Sequence, residues 1–298
     1  MTVLVVDTLR IVVELAARED RRTALKLVLV SRLVASWIDI VLYETVRLHR
    51  PRTSDNFLRT IETSRTKPPA FFATHVKSLC ILFDMAPEQV VRIASICSGI
   101  QNITTWFLPA PCCAAAPCHP VPLSCFMSGL RPRKVAAWHG ILCSPDPHVA
   151  LPFFSHVTHL TVVNIWEEWS TWPWPAPALR ALTHLSLDFT FGSRVLEPAE
   201  LHCVAGAARA LLRRCERLRV CALRIDQPER AASVAALAHL LRPAADPRIV
   251  FYRHRDPFQI REAHSAAEAR VWAALEAAVA QQAAGTGGAQ LVPTISHL

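Results

Sequence analysis

The sequence predicts an α/β chain in which three short helices precede an irregular, one-directional array of parallel strands and helices. Three observations carry this expectation. Apolar residues near the start recur at helical spacing, with breaks every ten to fifteen residues. From residue 75 onward the pattern changes to short β-rich apolar runs spaced 24 to 36 residues apart. Helical stretches lie between the later runs, and strand–helix alternation in a repeating frame implies parallel strands with helices on the outer face.

The first unit spans residues 1–46. Leu4, Val5, Leu9, Val12 and Val13 supply the apolar face of the first helix, and Asp20 is placed to cap the second. Leu25, Val28 and Leu29 share a face of that second helix. Val30-Ser31-Arg32 marks the passage into a third helix carrying Leu33, Trp37 and Val41. Residues 47–74 are polar and basic and read as a connector, with one short helix around Asn56–Ile61.

The array is expected over residues 75–282, with strands centred near residues 79, 103, 135, 160, 185, 221 and 250. Two of them share a core, Thr158-His159-Leu160-Thr161 and Thr183-His184-Leu185-Ser186, whose alternate side chains must face one buried layer. Helices are expected over residues 198–215, 229–241 and 265–282, the last with Val271, Trp272, Leu275 and Val279 on one stripe. Residues 109–128 hold five prolines between Pro109 and Pro122 and read as a surface loop. Residues 283–298, with Gly285, Gly287 and Gly288, read as a flexible tail.

Composition narrows the function. The 298 residues are 52% hydrophobic and 19% charged, which excludes a wholly disordered chain. The N-terminal apolar run is interrupted by Asp7, Arg10 and Glu14, too soon for a membrane span or a secretory signal. Ten cysteines without export imply reduced thiols and a cytoplasmic or nuclear chain. A net charge of +8 favours acidic partners. The basic clusters (Arg131, Arg133, Lys134; Arg213, Arg214, Arg217, Arg219; Arg248, Arg253, His254, Arg255) mix with aromatics only at Phe251-Tyr252, so nucleic-acid binding ranks last among the readings.

No catalytic motif is present: there is no G-x-S-x-G, no phosphate-cradling glycine-rich loop and no H-E-x-x-H. Cys112, Cys113, Cys118, His119 and Cys125 contain no Cys-x-x-Cys pair, and no metal or other cofactor is expected. His156, His159 and His184 read as repeat positions rather than a metal triad. The remaining cysteines read as small core residues. Trp166, Glu167, Glu168, Trp169, Trp172 and Trp174 fall between two strands and form a candidate partner surface on a rim loop.

The order of residue types over the first 46 residues resembles an F-box. Leu4 stands at the family's leading leucine, Val5 replaces the usual proline, and Asp7 occupies its acidic position. Val30-Ser31-Arg32 is similar to the Val-Cys-basic signature, and Trp37 to the family tryptophan. The array that follows is similar to a degenerate leucine-rich-repeat solenoid, without the regular asparagine ladder. The pair of resemblances implies a non-catalytic receptor: Leu4, Val5, Leu9, Val12, Val13, Leu25, Val30 and Trp37 would hold a Skp-type adaptor of a cullin-RING (SCF-type) ubiquitin ligase. The solenoid would bind a target protein on its exposed strand face and rim loops. The alternative is an interaction scaffold without adaptor binding, its helices serving only to cap the array.

Overall fold

A computed structural model of the chain describes residues 4–83, 85–105, 129–138, 152–163, 179–188, 197–225, 236, 239–240, 246–253, 266–284 and 291–292. The Trp166–Trp174 segment and the cysteines between Cys112 and Cys125 lie outside these residues.

Three helices open the chain: α1 (Leu4–Glu19), α2 (Arg21–Leu27) and α3 (Arg32–Glu44). Their starts are set by short polar side chains. Asp20 accepts from the backbone N–H groups of Arg22 and Thr23 at 3.0 Å, and Ser31 Oγ accepts from that of Val34 at 3.1 Å. Val13 and Ala17 of α1, Ala24 of α2, and Val34, Trp37 and Ile38 of α3 close into one small core. No loop separates α3 from β1 (Thr45–Leu48): Glu44 ends the helix and Thr45 begins the strand.

Beyond β1 come α4 (Pro51–Thr63), α5 (Pro69–His75), β2 (Ser78–Ile81), α6 (Pro87–Ile96), β3 (Asn102–Thr105) and β4 (Lys134–Trp138). β5 (His159–Val163), β6 (His184–Asp188), α7 (Pro198–Arg214), β7 (Val220–Ile225), β8 (Ile249–Arg253), α8 (Ala266–Ala283) and β9 (Leu291–Val292) complete the described elements. A proline begins each of α4, α5, α6 and α7, where its missing N–H has no intrahelical acceptor to lose. Glu200 adds a reciprocal cap on α7, accepting from the Glu197 N–H at 2.9 Å.

The nine strands among the described residues are parallel and pair in chain order, β1 to β9. One backbone device recurs where strands begin. The carbonyls of Lys77, Gln101, Arg133, Thr158 and Thr183 each accept two consecutive N–H groups of the next unit, at 2.7 to 3.2 Å. Because the register repeats, like positions stack. Leu79, Ile103, Val135, Leu160, Leu185, Cys221 and Ile249 form one row of the main core, and Ile81, Ala137, Val162, Leu187, Leu223 and Phe251 a second. α4, α5, α6 and α7 seal this layer with Phe57, Ile61, Phe72, Ile93, Val204 and Leu211. Gly99 admits no larger residue, since a Cβ there would lie 2.0 Å from the Ala73 carbonyl oxygen.

The seven strands read from the sequence are present, but two boundaries differ from the reading. Residues 47–74, expected as a connector, complete β1 and supply α4 and α5. β1 pairs with β2 from Thr45↔Ser78 to Leu48↔Ile81, and Phe57, Leu58, Ile61 and Phe72 join the main core. The polar composition that suggested a connector is the solvent side of an amphipathic helix. At the other end β9 lies inside the expected tail and pairs with β8. Of the helix read over residues 229–241, Ala236 and Leu240 pack on the main core.

The exposed strand face is also corrected. α8 lies across the side of the sheet opposite α4–α7, over β4 to β8, so that part of the strand face is covered. Its Trp272 and Leu275 form a separate core with Val220, Ala222, Val250 and Tyr252. Among the described cysteines all are free. Cys80, Cys97, Cys215 and Cys221 are buried, with burial pushing Cys97 and Cys221 up to about 12, whereas Cys203 is exposed. Among the described residues no helix is long and apolar enough to cross a membrane, and no three potential ligand side chains group into a metal site.

Candidate functional site

Two surfaces stand out, one at each end of the chain. Of the ten large apolar side chains exposed among the described residues, nine lie between Val6 and Leu33. Globular domains rarely concentrate apolar exposure this way without a binding role. On α1 the outward apolar residues are Val6, Leu9, Ile11, Val12 and Leu15. Around the α2–α3 turn they are Leu25, Leu29 (85% exposed), Val30 (67% exposed) and Leu33.

Among the residues that the F-box resemblance singles out, Leu9, Val12, Leu25 and Val30 are thus exposed. Val13 and Trp37 are not: each is 8% exposed and packed inside the three-helix core, so they hold the helices together and present nothing to a partner. The four-residue spacing of Val13 and Ala17 puts them on the inner face of α1, and Trp37 seals the same core from α3. Leu4 and Val5 begin α1, and their side chains lie outside the described residues. Leu29 and Leu33, which the resemblance left out, are exposed beside Leu25 and Val30 in sequence. Their hydrophobicity was visible in the sequence but their direction was not.

This unit is joined firmly to the sheet. Besides the loop-free passage from α3 to β1, Lys67 pairs with Asp39 at 3.0 Å and lies 5.5 Å over the Tyr43 ring. Tyr43 itself meets Phe71 and Phe72 edge-on, with centroids 5.7 and 5.4 Å apart.

The second surface is the strand face under α8. His159 and His184 are register partners on adjacent strands, and Trp272 caps both rings edge-on at 5.4 and 5.2 Å. Threonine fixes both imidazoles. Thr158 Oγ1 donates its one proton to the Arg133 carbonyl at 3.1 Å, so it accepts from His159 Nδ1–H at 2.9 Å. Thr183 repeats this, donating to the Thr158 carbonyl at 3.0 Å and accepting from His184 Nδ1–H at 2.8 Å. With Nδ1 protonated, the 2.9 Å contact between His184 Nε2 and Glu276 Oε1 is a hydrogen bond only while a proton lies between them.

Burial draws His159 down to about 3, and electrostatic coupling to His184 and Lys134 adds to the fall. Burial also lowers His184, with the carboxylate of Glu276 opposing and Arg219 and Lys134 adding to the fall. One turn before Trp272, Glu268 accepts from Lys134 Nζ at 3.3 Å and from Trp272 Nε1 at 3.1 Å, and its burial raises its own pKa. Glu268 of α8 is therefore anchored to Lys134 of β4, and the Trp272 indole is seated on the two strand histidines, while Glu276 bonds His184 only with a shared proton.

Of the three histidines read as repeat positions, His159 and His184 occupy equivalent places on β5 and β6, whereas His156 lies in the turn before β5, exposed and apart from the stack. Of the basic clusters, Lys134 pairs with Glu268 and Arg248 with Asp246 at 2.5 Å; Arg131, Arg133, Arg213, Arg214, Arg217 and Arg219 are exposed, and His254 and Arg255 lie outside the described residues. The stripe of α8 was legible in the sequence, but its seat on the strand face was not. No protein-family model, curated protein or solved structure matches the chain.

Proposed function

We propose that the chain is a non-catalytic protein-binding receptor: an F-box-like helical unit followed by a leucine-rich-repeat-like solenoid, serving as the substrate-recognition subunit of an SCF-type ubiquitin ligase. The observation that carries the reading is the concentration of exposed apolar side chains on α1–α3, in a unit that already has its own closed core. A unit made only to cap the array would turn those residues inward. The loop-free join of α3 to β1, with the Lys67–Asp39 pair beside it, suits a receptor that must hold its target at a set orientation to an adaptor. The parallel sheet, growing in one direction with stacked like positions, supplies a long scaffold for target capture.

The test is co-purification with a Skp-type adaptor. The wild-type chain is expected to retain the adaptor, and Leu9→Asp with Val12→Asp to lose it while keeping the same melting temperature. A well-folded wild-type chain that never retains the adaptor supports the second reading, an interaction scaffold whose helices cap the array. The packing of Tyr43 on Phe71 and Phe72 favours that alternative.

A further inference from the structure

We propose that the strand face of β4–β8 is a helix-binding surface which this chain fills with its own α8, and that its partner in trans is an amphipathic helix presenting an indole and a leucine between two carboxylates. The proposal does not depend on adaptor binding.

Four features support it. First, the contact of α8 with the sheet is separate from the main core: Val220, Ala222, Val250 and Tyr252 meet Trp272 and Leu275 in a cluster sharing no residue with the layer beneath α4–α7. Lifting α8 leaves that layer intact. Second, its seat on the sheet is only partly buried. Among the described side chains of α8 only Trp272 and Leu275 are buried, Val271, Ala278 and Val279 are half-buried beside them, and Glu276 remains 52% exposed while it reaches His184.

Third, the face is chemically unlike a sealed core. Lys134, His159, Thr161, His184 and Ser186 lie on it, and Ser186 Oγ and Tyr252 Oη lie 2.9 Å apart. A protein core is built from apolar side chains, whereas a row of hydrogen-bonding groups on a rigid sheet is suited to reading a partner. Fourth, charge is complementary across the contact. Lys134 and the nearby Arg219 make the face basic, and α8 answers with Glu268 and Glu276, one turn on either side of Trp272.

The occupant is specified by what α8 does there: an indole over the histidine pair, a leucine in the Val220–Tyr252 cluster, and carboxylates on Lys134 and His184. A helix in trans with the same four groups makes the same contacts. The alanine-rich sequence of α8 has high intrinsic helix propensity, so it is suited to remaining helical when displaced.

The experiment uses the full chain and a fluorescent peptide of residues 266–283. The Trp272→Ala, Leu275→Ala chain is expected to bind the peptide at least tenfold more tightly than wild type, whose face is occupied. Adding Lys134→Glu should reverse the gain, and a peptide carrying Glu268→Lys should restore it. Equal binding by wild type and the opened variant would overturn the proposal. Hydrogen exchange on the wild-type chain tests it independently of whether the variant folds. The α8 amides are expected to exchange at least tenfold faster than those of β5–β7. Protection of α8 equal to that of β5–β7 makes it an integral core element and the proposal fails.

Discussion

His159 and His184 stack ring on ring, with centroids 4.2 Å apart and planes 2° from parallel, because they are register partners on neighbouring parallel strands. Each is held from behind by the threonine that precedes it, and both lie under Trp272. A sequence repeat of Thr-His has thus become a two-ring column in which proton binding is disfavoured by burial.

That column predicts an acid-sensitive fold. Both imidazoles have folded pKa values below the unfolded value near 6.5, so the unfolded chain binds more protons between the two. Their stabilisation is complete above 6.5 and is lost as pH falls, for His159 over the window from 6.5 down to about 3. The loss is at most about 1.4 kcal/mol per pH unit for each ring. Glu268, raised by burial, acts with the opposite sign and offsets part of it. Urea unfolding at pH 7.5, 6, 5 and 4.5 should show declining stability, and a His159→Asn, His184→Asn chain should show a flatter dependence. A slope unchanged by the double substitution would refute this assignment.

Removing the hydroxyls that aim the rings should cost stability. Thr183→Val is isosteric but loses the bond to the Thr158 carbonyl and the acceptor for His184 Nδ1–H. Leaving such groups unsatisfied costs about 1–3 kcal/mol. Chemical denaturation of Thr183→Val measures it, and Thr183→Ser, which keeps the oxygen, should recover much of the loss.

Neighbouring residues on α1 should behave in opposite ways. Val12 is exposed and Val13 buried, so Val12→Asp should leave the melting temperature nearly unchanged while Val13→Asp places a carboxylate in the three-helix core and unfolds that unit. Trp37→Ala should cost about 3–5 kcal/mol for the same reason of burial. Circular dichroism melts of the three variants decide the matter, and equal melts for Val12→Asp and Val13→Asp would contradict the described face.

Gly99→Ala should destabilise the first part of the array. Its methyl would meet the Ala73 carbonyl oxygen at 2.0 Å, and backbone cannot retreat as a flexible side-chain tip can. Overpacking of this kind costs about 1–3 kcal/mol. A melting temperature equal to wild type would show that α5 and the α6–β3 turn can separate freely.

The sequence by itself determined the parts whose signal is local. The strands at Leu79, Ile103, Val135, Leu160, Leu185, Cys221 and Val250, the caps Asp20 and Ser31, and the apolar stripe of α8 are set by alternation, capping chemistry and helical spacing within a few residues. Parallel pairing also followed, since helices between strands leave room for little else.

Only the tertiary structure decided which apolar side chains face outward. Val13 and Trp37 look like Leu9 and Val30 in the sequence, but the way three helices close on one another buries the first pair and exposes the second. The same holds for β1, whose four residues alternate polar and apolar over too short a stretch to mark a strand directly after a helix, and whose pairing with β2 decides it. It holds most clearly for α8: its stripe could have packed on either side of the sheet. What selects the strand face is the meeting of Trp272 with His159 and His184, and of Glu268 with Lys134, across 134 residues of chain. Such contacts depend on register accumulated strand by strand, and no local window of sequence contains that sum.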